Sequence, residues 1–260
     1  MKGYIKGIIS NESTSNEEKM IYPITVAEAI YFNDGKTLVD KINNSGSSST
    51  STVIPNKWRY KNIYCFGDSI TAGGYPANIA KVLGAYVTNK GSSGGTYARD
   101  WDIIQQTDLS YADAVTFMTG HNSGAGDMTL ETSGLLDIAD PSDFNSYPNN
   151  YYGGLGKLIN YVRTTYPNIK IYLLGLHYTT RNNNSKDCQR ALKEIGDYYA
   201  VPFIDVYAKC GICKTNLSVY SSDGTHLNSE GYKLLGECIA YQMMYNLLIS
   251  IGNLNIYSLK

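Results

Sequence analysis

Residues 63–74 read IYCFGDSITAGG, an apolar run that ends on Gly-Asp-Ser and continues into small residues. A short apolar run that is bounded by a glycine turn is typical of a buried strand. Ser69 therefore lies just past the predicted end of a strand. In parallel sheets, sites lie at the carboxyl ends of the strands, so the significance of Ser69 depends on which residues follow the other strands.

Short β-rich runs alternate with helical stretches from about residue 60 onward. The predicted strands are 62–66, 85–89, 114–119, 169–175 and 203–206, and the predicted helices are 76–84, 97–106, 154–166, 186–200 and 228–249. Mostly apolar strands separated by helices indicate an α/β domain. We expect a five-stranded parallel sheet that is covered by helices on both faces.

Composition divides the 260 residues into four parts. Residues 44–56 form a Ser-rich linker, because small polar side chains bury little apolar area. The linker separates an N-terminal segment, 1–43, from a main domain, 57–250, and residues 251–260 form a C-terminal tail. The apolar stripe of the N-terminal segment is too short to form a core. We expect this small appendage to pack against other copies of itself or against a larger assembly.

Charge and hydropathy exclude several partners. The chain has 22 Lys and Arg residues against 23 Asp and Glu residues, so no strongly basic surface for nucleic acid or for an anionic membrane is expected. Its apolar runs are too short to span a bilayer, and its first residues lack the apolar core of a signal peptide. The odd count of five cysteines does not indicate a disulfide framework.

A histidine and a carboxylate near the C-terminal end could activate Ser69. A serine hydroxyl becomes a good nucleophile only when a base takes its proton, and the base must itself be oriented. Asp223-Gly-Thr-His226 offers this pair on a tight loop, where the carboxylate can accept from the ring Nδ1–H and leave Nε2 for Ser69. Taken by itself, Asp223 is more typical of a turn residue or a helix N-cap than of a catalytic acid.

Nucleophilic attack on a carbonyl creates an oxyanion, which needs donors that are already in place. Gly94, in a glycine-rich turn after the second strand, can present its N–H because no Cβ intervenes. The side-chain amide of Asn122, after the third strand, can donate a second bond, and the backbone N–H of Ser69 a third. Taken singly, these residues are also typical of ordinary loops.

Four sequence blocks in this order resemble the SGNH or GDSL-type hydrolases. They are Gly67-Asp68-Ser69, the turn with Gly94, Gly120-His121-Asn122 and Asp223-Gly-Thr-His226. The resemblance covers residues 60–249 and implies a serine esterase with a flavodoxin-like three-layer α/β/α domain. It implies Ser69 as nucleophile, Asp223 and His226 as orienting acid and base, and Ser69, Gly94 and Asn122 as the oxyanion hole. No metal or other cofactor is expected, because no ligand set with metal spacing is present.

The third block departs from the family pattern at one position. The family has Asp after the Asn of this block, and this chain has Ser123. An Asp here would help to hold the loop, so whether Ser123 holds the Asn122 donor as rigidly is left open by the sequence, and losing one such donor costs on the order of 3–4 kcal/mol of transition-state stabilisation. His121 is expected only to flank Asn122.

A long irregular insertion at 123–154 is expected to form one wall of the substrate site. Tyr147, Tyr151 and Tyr152 offer flat apolar faces and hydroxyls that suit a sugar. Asp68 and His177 are further candidates to contact substrate, although a histidine at a strand end is more often a satisfied loop residue. The expected substrate is an O-acyl ester, with acetate as the acyl group, on a carbohydrate.

Residues 22–44 resemble the attachment segments at the front of phage or prophage tail proteins. This resemblance implies a virion-associated polysaccharide deacetylase that assembles as a homo-oligomer through residues 1–43. Four alternatives remain open: action on another small ester, a lipid or lysophospholipid esterase with the same triad, a glycan-binding module without turnover, and a cytoplasmic esterase.

Overall fold

The computed structural model describes residues 56–180 and 184–250. The predicted N-terminal segment, the C-terminal tail and all but the last residue of the linker lie outside this part of the chain. Within it, no helix has the length and apolar character needed to cross a membrane.

Five parallel strands form one sheet in the order β2-β1-β3-β4-β5. The strands are β1 (Asn62–Gly67), β2 (Tyr86–Gly91), β3 (Ala114–Met118), β4 (Lys170–Leu174) and β5 (Phe203–Ile204). Five long helices are α2 (Tyr75–Leu83), α3 (Tyr97–Gln105), α4 (Tyr151–Thr165), α5 (Asn184–Tyr199) and α8 (Ser229–Ser250). Three one-turn helices are α1 (Ser69–Ala72), α6 (Val206–Lys209) and α7 (Leu217–Tyr220), and Leu135–Asp137 forms a 3₁₀ turn.

The long helices form a layer on each face of the sheet. On one face α2 packs against α8, and on the other face α3 packs against α4 and α4 against α5. This division follows from right-handed crossovers, because the chain moves outward from β1 in one direction to β2 and in the other to β3, β4 and β5. All five residues of the central strand β3 are buried. The predicted flavodoxin-like three-layer domain is confirmed.

Helix α4 begins three residues before its predicted start. Asn150 caps it, because the Asn150 side chain accepts a hydrogen bond from the Gly153 N–H at 2.9 Å. Two glycines in its first turn obscured the helical pattern, since glycine disfavours helix. Packing accounts for Gly154, because a Cβ there would lie 2.2 Å from the ring of Tyr97.

The turn between β1 and α1 has no room for a side chain. Gly67 has a φ of +152°, and a Cβ at this position would lie 2.1 Å from the Met118 carbonyl oxygen and 2.4 Å from Thr71 Oγ1. The close approach follows from the strand register, which places Gly67 beside Met118 of β3. Ser69 therefore depends on this glycine for its place above the end of the sheet.

Replacing Gly67 by Ala is expected to destabilise the domain more than Gly74→Ala does. Both glycines have a positive φ, but a Cβ at Gly74 meets nothing within 4 Å. Gly74→Ala therefore adds only backbone strain of about 1–3 kcal/mol, whereas Gly67→Ala adds a backbone clash to it. Urea unfolding of the two variants measures the difference, and equal losses would contradict the steric account of Gly67.

Candidate active site

Three polar side chains, one from near residue 69 and two from near residue 225, meet at the carboxyl edge of the sheet. Ser69 begins α1, directly after β1, while Asp223 and His226 lie in the loop that precedes α8. His226 Nε2 is 3.0 Å from Ser69 Oγ, and His226 Nδ1 is 2.7 Å from Asp223 Oδ2. The hydrogen-bonded order is therefore serine, histidine, carboxylate.

The loop itself orients the Asp223 carboxylate. Its Oδ1 accepts hydrogen bonds from the backbone N–H groups of Thr225 at 2.9 Å and His226 at 2.7 Å. The hydrogen bond from the His226 ring, together with these backbone donors, holds the pKa of the Asp223 carboxyl well below its usual range. Because Asp223 is ionised, it accepts the Nδ1–H of His226 and leaves Nε2 with a lone pair toward Ser69.

Two loops bring further donors to the same edge. Gly94 follows β2 with a φ of +70°, and a Cβ there would meet nothing within 4 Å. The positive φ accounts for a glycine at position 94, because other residues rarely adopt this backbone conformation. Asn122 Nδ2 donates to the Gly95 carbonyl at 2.9 Å, which uses one of its two amide hydrogens and leaves the other for a ligand.

The expectation that His121 only flanks Asn122 is wrong. His121 is buried, and both its backbone N–H and its ring Nδ1 contact Asp68 Oδ2, at 3.2 Å and 2.8 Å. Ser123, which replaces the Asp of the family pattern, has a buried Oγ with no hydrogen-bond partner among the described residues. Two contacts therefore hold the Asn122 loop. His121 binds Asp68, and the Asn122 side chain binds the Gly95 carbonyl.

Asp68 is fully buried and does not face a substrate. Its Oδ1 accepts from the Ile70 N–H at 3.0 Å and caps α1. Although burial opposes ionisation, pairing with His121 and the Ile70 and His121 N–H groups keeps the pKa of Asp68 below its usual value. The carboxylate thus has internal partners for both oxygens.

His177 is also fully buried, which corrects its assignment as a substrate contact. Its Nε2 is 2.9 Å from the Thr225 carbonyl, one residue before His226. Burial lowers the pKa of His177 to about 3, so the ring is neutral at physiological pH.

The three tyrosines of the insertion are buried too, so they do not form an open wall. Tyr151 donates to the Thr119 carbonyl at 2.7 Å, Tyr152 to Glu194 Oε2 at 2.6 Å, and Tyr147 to the Pro141 carbonyl at 3.0 Å. The first bond joins the insertion to the end of β3, the second joins it to α5, and the third lies within the insertion. A tyrosine in a long loop gave no indication of which way its ring would turn.

Asp100, on α3, is a buried carboxyl that the sequence analysis missed. Burial, with the charge of nearby Asp68 added, raises its pKa well above the usual range. A signal was present, because Tyr97, Asp100, Trp101 and Ile104 share one helix face at core spacing. An acid on that apolar face therefore predicts a buried carboxyl, which the structure places near Asp68.

Within residues 56–180 and 184–250, no cluster of three or more His, Cys, Asp or Glu side chains is arranged to hold a metal ion.

Comparison with known proteins identifies the same architecture. A lipase/acylhydrolase from Enterococcus faecalis is 20% identical, with a TM-score of 0.51 over 72% of this chain and 96% of the other. A catalytic mutant of an acetylxylan esterase from Geobacillus stearothermophilus is 19% identical, with a TM-score of 0.52 over 71% and 94% of the two chains. At these identities the likeness concerns the fold. No curated protein matches the chain significantly.

The sequence pattern of the GDSL-like Lipase/Acylhydrolase family matches residues 65–234, which is more than half of the chain. The matched range includes Ser69, Asn122 and the Asp223–His226 loop. The chain therefore belongs to the GDSL-like lipase/acylhydrolase family.

Proposed function

We propose that the protein is a serine esterase that removes O-acetyl groups from a carbohydrate. The proposal rests on one observation, the hydrogen-bonded chain from Ser69 through His226 to Asp223, with distances of 3.0 Å and 2.7 Å. Such a chain is the arrangement that acyl transfer from an ester to water requires.

In the first half of the reaction, His226 Nε2 takes the proton of Ser69 Oγ while Oγ attacks the ester carbonyl carbon. Asp223 holds the ring in the correct tautomer and stabilises the imidazolium that forms. The oxyanion is bound by the N–H groups of Ser69 and Gly94 and by the free amide hydrogen of Asn122. The C–O bond to the sugar then breaks, and the departing alcohol takes the proton from His226.

In the second half, water attacks the acetyl-serine. His226 Nε2 takes a proton from the water, the same donors bind the second oxyanion, and the Ser69–acetyl bond breaks. Ser69 Oγ recovers its proton from His226, and acetic acid leaves. The proton transfers use Ser69 Oγ and His226 Nε2, which lie 3.0 Å apart, while Asp223 holds the ring from 2.7 Å.

The openness of the site favours a large substrate. The side chains of His226 and Asp223 are 42% and 45% exposed. A polymer can therefore approach the triad, whereas a lipid chain is best bound where an apolar tunnel encloses it. The acetylxylan esterase that shares the fold supports a carbohydrate ester as the substrate class.

The chain before the domain supports a location on a phage or prophage tail. Residues 22–44 resemble tail attachment segments, and the run of small polar residues at 44–56 has the composition of a linker between such a segment and a catalytic domain. We propose that copies of the chain assemble through residues 1–43 and present the esterase domains to a host surface polysaccharide.

Ser69→Ala is expected to abolish release of p-nitrophenol from p-nitrophenyl acetate and of acetate from an O-acetylated polysaccharide. Ser110→Ala, an exposed serine away from the triad, is the matched control and should keep wild-type rates. The wild type should prefer the acetate ester to the octanoate ester. Equal rates in Ser69→Ala and wild type would exclude a serine esterase, and a preference for octanoate would favour the lipid esterase.

Asn122→Ala is expected to lower kcat by roughly a hundred-fold or more, because it removes one oxyanion donor. Ser123→Ala, one residue away, is the control and should keep wild-type kcat, since the Ser123 hydroxyl has no partner among the described residues. Steady-state kinetics with p-nitrophenyl acetate measure both. If the two variants behave alike, Asn122 is not an oxyanion donor.

The full chain is expected to sediment as an oligomer at micromolar concentration, and a chain that begins at residue 53 as a monomer. Sedimentation velocity compares the two, with p-nitrophenyl acetate turnover as a check that the shorter chain is folded. A monomeric full chain would contradict assembly through residues 1–43.

A further inference from the structure

Asp68 connects two catalytic loops through one carboxylate. Its Oδ1 accepts from the Ile70 N–H at 3.0 Å, and its Oδ2 accepts from the backbone and ring of His121 at 3.2 Å and 2.8 Å. Ser69 lies between Asp68 and Ile70, and Asn122 directly follows His121. The carboxylate therefore limits how far the nucleophile can move relative to the proposed oxyanion donor.

A second buried histidine continues this connection to the third loop. The ring of His177 lies against that of His121, with 5.0 Å between ring centroids and 39° between planes. On its other side, His177 Nε2 is 2.9 Å from the Thr225 carbonyl. A carbonyl only accepts, so Nε2 carries the ring proton and donates it to this bond.

The chain after His177 strengthens the same attachment. The Thr180 N–H donates to the Gly224 carbonyl at 3.0 Å, and the Thr179 and Thr225 hydroxyls are 3.1 Å apart. The segment 177–180 thus contacts both residues that separate Asp223 from His226 in the chain.

Packing alone does not explain a histidine at position 177. Its Nδ1 is buried and has no hydrogen-bond partner among the described residues, and such an atom costs stability. A phenylalanine would fill a similar volume without this loss. The feature that phenylalanine could not provide is the hydrogen bond to Thr225.

We propose that Asp68, His121 and His177 are positioning residues, which together form a buried spine that fixes the three catalytic loops relative to one another. The spine contacts neither substrate nor the reacting atoms. It acts by keeping Ser69, Asn122 and His226 at reacting distance, and small displacements of such groups lower kcat steeply. This inference rests on the proposed esterase function.

The test compares His177→Phe, which removes the donor, with His177→Gln, whose amide nitrogen can reach the Thr225 carbonyl. Kinetics with p-nitrophenyl acetate are measured below the melting transition of every variant, together with the rate at which a small fluorophosphonate labels Ser69. His177→Phe is expected to lower kcat and the labelling rate at least about tenfold with KM within about twofold of wild type. His177→Gln should recover to within about threefold of wild type.

Asn160→Leu is the control for lost stability. Asn160 is a buried polar residue of α4 that binds the Tyr147 and Tyr199 hydroxyls, away from the triad. The Asn160→Leu variant should melt at a lower temperature than the wild type and keep the wild-type kcat. If His177→Phe behaves in the same way, the residue is merely structural and the spine is rejected.

Two further measurements keep the proposal testable. If His177→Phe does not fold, Thr179→Val, which removes the hydroxyl that lies 3.1 Å from the Thr225 hydroxyl, should lower kcat several-fold, and an unchanged kcat overturns the spine. Turnover by the wild type that is lost in Ser69→Ala establishes the esterase separately. If the wild type shows neither turnover nor labelling, the proposed function fails and the spine fails with it.

Discussion

The alignment of three parallel strand ends is the constraint on which the site depends. Pairing of β1 with both neighbours places Gly67 beside Gly91 on one side and beside Met118 on the other. The loops that follow these strands leave the sheet at one level, so residues far apart in the chain meet there without special contacts. The Asp223–His226 loop does not follow a strand of this group, and it reaches the same edge only through contacts of its own.

The fold was predictable because its large elements have a local signature. Apolar runs predicted the five strands to within a few residues, and periodic patterns predicted the five long helices. The one-turn helices escaped prediction because four residues contain no period. Side-chain caps define two of them, since Asp68 accepts from the Ile70 N–H and Asp205 from the Ala208 N–H.

The site was predictable where partners are close in the chain or follow neighbouring strands. Asp223 and His226 are three residues apart, and chemistry alone suggested their contact. Asp68 and His121 are 53 residues apart, and their contact depends on how two loops pack. The tyrosines of the insertion illustrate the same limit, because residue type indicates a suitable surface but not whether the ring faces solvent or the helices.

A carboxylate in a triad can stabilise the histidine by its charge or orient the ring by its hydrogen bond. The exposure of the Asp223–His226 pair determines how much each of these contributes. Nearly half of each side chain is open to solvent. In water, two unit charges about 4 Å apart attract by only ~1 kcal/mol, compared with ~4 kcal/mol at the dielectric typical of a protein surface. Solvent therefore screens the charge of Asp223 in part and reduces its stabilisation of the imidazolium, whereas its hydrogen bond still fixes the tautomer and the ring angle of His226. In such a triad the carboxylate contributes more by orienting the histidine ring than by electrostatic attraction. Added salt should therefore change the rate of catalysis little.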